Sequence, residues 1–277
     1  MQQYQRMGVQ RLRGPGRCGL CGHHRYMTEA HVPPRGIGNR APQHRRASWV
    51  TSQRGAGIDS YKPGGLSVFG LCFDCNNLTS GAADPAYIDF HNAVTRYWSP
   101  SIRRLLIEPT AVPAPVAPGL VARSVLVGMF AINDRLQDHF SDLACGLRDD
   151  DPDLRLPEGL RLRIALMEGM RSRIGGPVGY MRVLTRRETY MPFADVWFPP
   201  LAWCLISARA GDPSLGPDIT TNWGDATAWV RYGPDTIVDL RELVGRLPVA
   251  PPPMFGTEDW VVLTGAGMVA LEGRRAG

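Results

Sequence analysis

Cys18-Gly19-Leu20-Cys21 and Cys72-Phe73-Asp74-Cys75-Asn76, with Thr28-Glu29-Ala30-His31-Val32-Pro33-Pro34-Arg35 between them, are the segments that decide how this chain is read. Two Cys-x-x-Cys pairs supply the four soft thiolates of a closed tetrahedral zinc site, and each pair forms a tight turn whose backbone N–H groups point at sulfur. Gly19 and Gly22 suit the first of these turns. A redox pair is the rival use of Cys-x-x-Cys, but neither pair is flanked by a thioredoxin-like βαβ pattern. A structural Zn²⁺ held by Cys18, Cys21, Cys72 and Cys75 is therefore expected. The two other cysteines, Cys145 and Cys204, stand in apolar surroundings and read as buried core residues.

The flanks of the pairs predict the local structure. Tyr26 to Pro33 reads as a strand stopped by Pro33-Pro34, and Leu66 to Leu71 as a second short strand. A short helical run follows from Cys72 to Thr79. Asp84-Pro85 then supplies an N-cap and first helical position for a helix ending near Trp98, with Tyr87, Phe90 and Val94 on its packed face. Between the strands, Arg35 to Gly65 reads as a long loop rich in Arg and Gly, a kind of segment that is usually functional or disordered in a compact domain. A DNA-contacting loop is the expectation, with Arg35, Arg40, Arg45 and Arg46 as phosphate contacts.

Charge is distributed unevenly. The 277-residue chain is 44% hydrophobic and 21% charged, a globular composition, and carries a net charge of +5. Up to Lys62, ten Arg and one Lys face only Glu29 and Asp59, so this part carries +9 and the remainder −4. Lys62 is the single lysine, which points to codon bias and weakens Arg content as a signal in itself. The same bias acts on both parts, so it does not explain why positive charge collects at one end, as phosphate binding requires. No segment approaches the ~20 apolar residues of a membrane span, and the Arg-rich start lacks the apolar core of a secretory signal. A cytoplasmic location is expected.

Length allows two domains. Pro109, Pro113, Pro115 and Pro118 mark residues 109–118 as a semi-rigid linker between an N-terminal zinc-stapled unit, 1–108, and a mixed α+β domain, 119–277. In the second unit, Leu120 to Leu136 reads as a helix that Asp138 to Leu147 extends. Leu160 to Leu166 alternates like a strand, and Val178 to Leu184 is strand-like. Val196 to Ile206 is a buried strand or helix interrupted by Pro199-Pro200, and Asp225 caps a short helix through Val230. No catalytic motif is visible there.

The order Cys-x-x-Cys, strand with His, strand, Cys-x-x-Cys-Asn, helix resembles the zinc-stapled branch of the HNH endonucleases, the ββα-metal nucleases, over roughly residues 17 to 95. The resemblance implies a ββα-metal module that hydrolyses DNA phosphodiester bonds with Mg²⁺ or Mn²⁺, with His31 as general base and Asn76 as a ligand of the catalytic ion. Neutral imidazole suits proton removal from water near pH 7, and an amide oxygen suits a hard cation. The family places an Asp or Glu directly before the base, where this chain has Ala30. Glu29 is the nearest acid, and period-two alternation puts it on the face of His31. His91, Asp84 and Asp89 are further candidate ligands. The family's middle Asn is missing just before the second Cys pair, and Asn39 stands early for it. The alternative reading, favoured by Ala30, is a non-catalytic zinc-stapled module that binds nucleic acid or protein. A third makes residues 119–277 a protein-interaction surface regulating the nuclease.

Overall fold

The computed structural model describes residues 13–40, 43–46, 60–62, 64–100, 104–105, 115–175, 193–207, 223–233, 235–240, 247–250 and 270–274. In chain order these form β1 (Gly14–Arg17), β2 (His24–His31), a 3₁₀ turn (Arg35–Ile37), β3 (Gln43–Arg46), β4 (Ser60–Lys62), β5 (Ser67–Cys72), α1 (Phe73–Asn77), α2 (Ala83–Tyr97), β6 (Trp98–Ser99), β7 (Arg104–Leu105) and β8 (Pro115–Val116). Helices α3 (Pro118–Ile132), α4 (Arg135–His139) and α5 (Ser141–Arg148) come next. After them run β9 (Leu160–Met167), β10 (Arg171–Gly175), β11 (Phe193–Phe198), β12 (Leu201–Ser207), β13 (Gly224–Asp225), a 3₁₀ helix (Thr227–Arg231), β14 (Val238–Asp239), β15 (Val249–Ala250) and β16 (Ala270–Arg274). The fold is α+β, and among the described residues no helix is long and apolar enough to cross a membrane.

The Cys-rich segment makes a three-stranded antiparallel sheet in the order β1-β2-β5. Met27 faces Cys72 and Thr28 faces Leu71, but the register slips before Ala30 meets Val68. Phe69 and Gly70 on β5 span the interval that Glu29 spans alone on β2. The extra residue of this bulge is on β5, and from Glu29 to His31 strand β2 still alternates exposed, buried, half-buried.

A second sheet runs β13-β9-β12-β11-β10-β16-β3-β4, with β15 parallel to β9. Its centre is buried on both faces, and period-two geometry sorts the residues into two clusters. Leu162, Ile164, Leu166, Leu201, Trp203 and Leu205 join the main core. Ala165, Met167, Ala202, Cys204 and Ile206 form a smaller one with Trp197 and Trp223, whose rings meet edge to face at 5.0 Å. The segment Val196 to Ile206, strand or helix by its sequence, is a hairpin turned at Pro199-Pro200. The short helix expected after Asp225 is the 3₁₀ helix, but its N-cap is Ala226, and Asp225 stands one residue earlier with its Oδ1 accepting from the Thr227 N–H at 2.8 Å. The strand expected at Val178 to Leu184 lies outside the described residues.

Part of the expected Arg-rich loop is regular. β3 and β4 pair with each other, and β3 pairs with β16 from the far end of the chain, so Arg45 and Arg46 occupy strand positions opposite Leu271 and Ala270. The expected linker is also structured at its end, where Pro115–Val116 pairs with Val238–Asp239 and Pro118 opens α3. Helix α3 stops at Ile132, earlier than expected, and α4 and α5 follow as separate short helices. Helix α2 buries Tyr87, Phe90 and Val94 as their spacing predicts. Its N-cap is Ala82, which leaves Asp84 inside the first turn.

Helix α3 is buried on almost all sides and holds the two sheets together. One hydrophobic core runs from Cys18 through Val68, Phe90 and Phe130 to Trp203 and Leu240, so the two expected units share an interior. Its aromatic centre is Trp203, with ring centroids 6.5 Å from Tyr87, 6.3 Å from Phe90 and 5.7 Å from Trp229. Gly19 and Gly70 allow the closest approach. A Cβ on Gly70 would lie 1.7 Å from the Ala131 carbonyl oxygen, and one on Gly19 2.0 Å from that of Phe130. Gly70→Ala must therefore push α3 off the first sheet. A loss of about 1–3 kcal/mol is expected, as for other overpacked cores, and urea denaturation of the purified variant measures it.

Candidate metal centre and adjoining cavity

The four-cysteine cluster is assembled where β1 turns into β2 and where β5 runs into α1. Cys18 follows directly on β1. Gly22, at φ +73°, closes the turn, its N–H donating to the Cys18 carbonyl at 2.9 Å. Cys72 ends β5 and caps α1, which carries Cys75 in its first turn. The strand pairing of β2 with β5 and a 2.8 Å bond from the Gly19 N–H to the Gly70 carbonyl bring the two turns together.

All four sulfurs lie within 4.8 Å of one another, and the Sγ atoms of Cys21 and Cys72 are 4.0 Å apart. That spacing is far too long for a disulfide and close to the ~3.8 Å edge of a tetrahedron built on Zn–S bonds of about 2.3 Å. The surroundings favour negative charge on sulfur. The hydrogen bond from the Cys75 thiol, helped by the backbone N–H groups of Cys21, Cys72 and Leu20, pulls Cys18 down to about 4. Burial pushes the Cys21 thiol up, and the bond to Cys18 together with burial does the same to Cys75. The cluster thus stabilises one thiolate by itself, and a metal ion such as zinc would displace the remaining thiol protons. His23 and His24 are exposed and outside this ligand set. Cys204 is buried as expected, whereas Cys145 is exposed on α5.

Next to the cluster lies a cavity of about 220 Å³ lined by Glu29, Ala30, His31, Arg35, Asn76 and Asp84. Residues of α3 and Trp203 of the second sheet also line it. The His31 Nε2 is 2.9 Å from the Gly64 carbonyl oxygen. A carbonyl only accepts, so the neutral ring carries its proton on Nε2 and its lone pair on Nδ1. The Asn76 Nδ2 donates to the Glu29 carbonyl at 3.0 Å, tying α1 to β2 and leaving Oδ1 as the amide's ligand atom. The Glu29 carboxylate accepts from the Ser67 hydroxyl at 2.6 Å.

Asn39 has a role that its early position concealed. It is buried, its Nδ2 donates to the carbonyls of Pro33 at 2.6 Å and Leu66 at 3.0 Å, and its Oδ1 accepts from the Leu66 N–H at 2.6 Å. This amide clamps the segment after β2 to the segment before β5, beside His31. No local pattern marks it, because its partners are set by the return of the chain at Leu66.

Of the other candidate ligands, Asp84 lines the cavity and accepts from the Ser124 hydroxyl at 2.6 Å. His91 is buried elsewhere, with Nε2 2.8 Å from the Pro199 carbonyl oxygen, and neither it nor Asp89 lines the cavity. Asn77 is exposed, its Nδ2 donating to the Phe73 carbonyl one turn back in α1. Arg35 and Arg40 are exposed, and the side chains of Arg45 and Arg46 lie outside the described residues.

No family model, no curated protein and no solved structure matches the chain.

Proposed function

We propose that the chain is an HNH-like, metal-dependent endonuclease that hydrolyses DNA phosphodiester bonds, stapled by a structural zinc on Cys18, Cys21, Cys72 and Cys75. The observation that carries this reading is the meeting of His31, Asn76 and a carboxylate in one cavity beside the four-cysteine cluster. The closed set of four thiolates leaves no open position, so its metal is structural, and the chemistry belongs to the cavity.

The donor set of the cavity fits a hard cation, with the Asn76 amide oxygen and a carboxylate to hold Mg²⁺ or Mn²⁺. Such an ion supplies charge stabilisation to the phosphorane-like transition state and the leaving oxygen. His31 takes the proton of the attacking water at Nδ1, and the Gly64 carbonyl, bonded to Nε2–H, favours the imidazolium that forms. Arg35 at the rim holds a phosphate of the substrate strand. The +9 segment concentrates DNA by counterion release and gives little sequence preference.

Incubating the full chain with supercoiled plasmid and with single-stranded DNA in Mg²⁺ or Mn²⁺ tests the reading, and nicked or linear product is expected. A second reading, a non-catalytic zinc-stapled binding module, is favoured by Ala30, whose methyl group stands where the family has an acid. Intact DNA in both ions together with tight binding would support it. Both readings require affinity that falls steeply with salt. Arg35→Glu or Arg40→Glu should weaken binding and reduce the salt slope by about 1 for each phosphate no longer neutralised, measured by fluorescence anisotropy across salt concentrations.

A further inference from the structure

We infer that Asp84, on helix α2, is a ligand of the catalytic divalent ion and supplies to the same cavity the carboxylate that Ala30 cannot. This inference rests on the nuclease reading and deepens it.

A small hard cation is held by one or two carboxylates along with water and substrate phosphate. At position 30 there is only a buried methyl group, 3% exposed. Two carboxylates line the cavity, those of Glu29 and Asp84. Glu29 is exposed, opposite the bulge of β5, on a longer side chain whose Oε1 is bonded to Ser67. Asp84 is half-buried, has one fewer torsion to fix, and is oriented through Oδ1 by the hydroxyl of Ser124 on α3. Ser124 is itself buried in the wall of the cavity. Among the described residues the Asp84 carboxylate meets this one hydroxyl donor and no cation. A half-buried carboxylate with no ion pair among the described residues, in a cavity it shares with the His31 imidazole, the Asn76 amide and, at the exposed rim, the Arg35 guanidinium, is suited to a bound cation.

The arrangement also explains why α3 must reach the nuclease-like segment. Its Ser124 plays the part of an outer-shell partner that fixes a ligand, so the helix that unites the two sheets also completes the ion site.

The test is Mn²⁺ binding to the zinc-loaded full chain, followed by the electron paramagnetic resonance signal of free Mn²⁺. Wild type and Glu29→Gln should bind one ion with similar affinity. Asp84→Asn should weaken binding by more than about 10-fold, and Ser124→Ala, which keeps the carboxylate but frees it, by about 10-fold. Unchanged zinc content and melting temperature show that the variants are folded. Anomalous scattering from Mn²⁺ soaked into wild-type crystals gives a readout independent of any variant, with the ion expected within coordination distance of Asp84. Should Asp84→Asn bind Mn²⁺ like wild type while Asn76→Ala and Glu29→Gln do not, the assignment of Asp84 is overturned and the nuclease reading survives. Absence of Mn²⁺ binding by wild type would overturn both.

Discussion

Cys72→Ser should lose its zinc and melt far below the wild type, by ~10 °C or more. Zinc binding to four thiolates contributes on the order of 10–16 kcal/mol in small zinc modules, comparable to the whole stability of an ordinary domain. Cys72 is the residue whose loss should cost most, because it ends β5, caps α1 and donates its N–H to the Cys18 sulfur at 3.4 Å. Three thiolates retain some affinity for zinc, so the expected loss is only part of the full binding energy. A loss of about 6 kcal/mol, well short of the full binding energy, lowers the melting point of a chain this size by roughly 10 °C. The damage should extend past the first sheet. Cys18, Cys72 and Cys75 belong to the same core as Phe130 and Trp203, and Arg17 at the edge of the cluster bridges to Asp138 at 2.5 Å on α4. Metal analysis and circular dichroism melting measure both effects. About one zinc per wild-type chain is expected, and full zinc with an unchanged melt in Cys72→Ser would remove the four-cysteine site.

What the sequence disclosed follows the range of the interactions involved. The cysteine cluster was legible because ligand chemistry demands a local spacing that appears twice. Strands β2 and β5 and the packed face of α2 were legible for the same reason, since each rests on residues a few positions apart. Contacts between distant segments left no local mark. Gly19 reads as a turn residue, yet what it requires is room for the carbonyl of Phe130, and Gly70 carries no signal at all. Nothing near Arg45 foretells a strand partner at Leu271. The amide of Asn39 depends on where Leu66 returns, and the place of Asp84 in the cavity depends on Ser124 of a helix expected in another unit. Proline content marked 109–118 as a linker, but Pro118 is tolerated at the first turn of a helix because that turn needs no N–H from it.

His31→Ala should abolish cleavage while leaving fold and zinc intact. The ring is half-buried, is bonded to the Gly64 carbonyl at the cavity wall, and lies outside the four-cysteine cluster, so its removal costs little stability. Loss of a general base typically lowers a rate by about 10² to 10⁴, too much to confuse with a small change in folded fraction when melting is unchanged. Asn76→Ala should also abolish cleavage, and it breaks the bond to Glu29 as well. The most direct measurement of the central claim is the rate of nicking of supercoiled plasmid by wild type and by His31→Ala, side by side in Mg²⁺ and in Mn²⁺. The account predicts that wild type nicks the plasmid and that His31→Ala is at least ~100-fold slower with the same zinc content and melting temperature. A wild type inert in both ions, or a His31→Ala protein as fast as wild type, would contradict it.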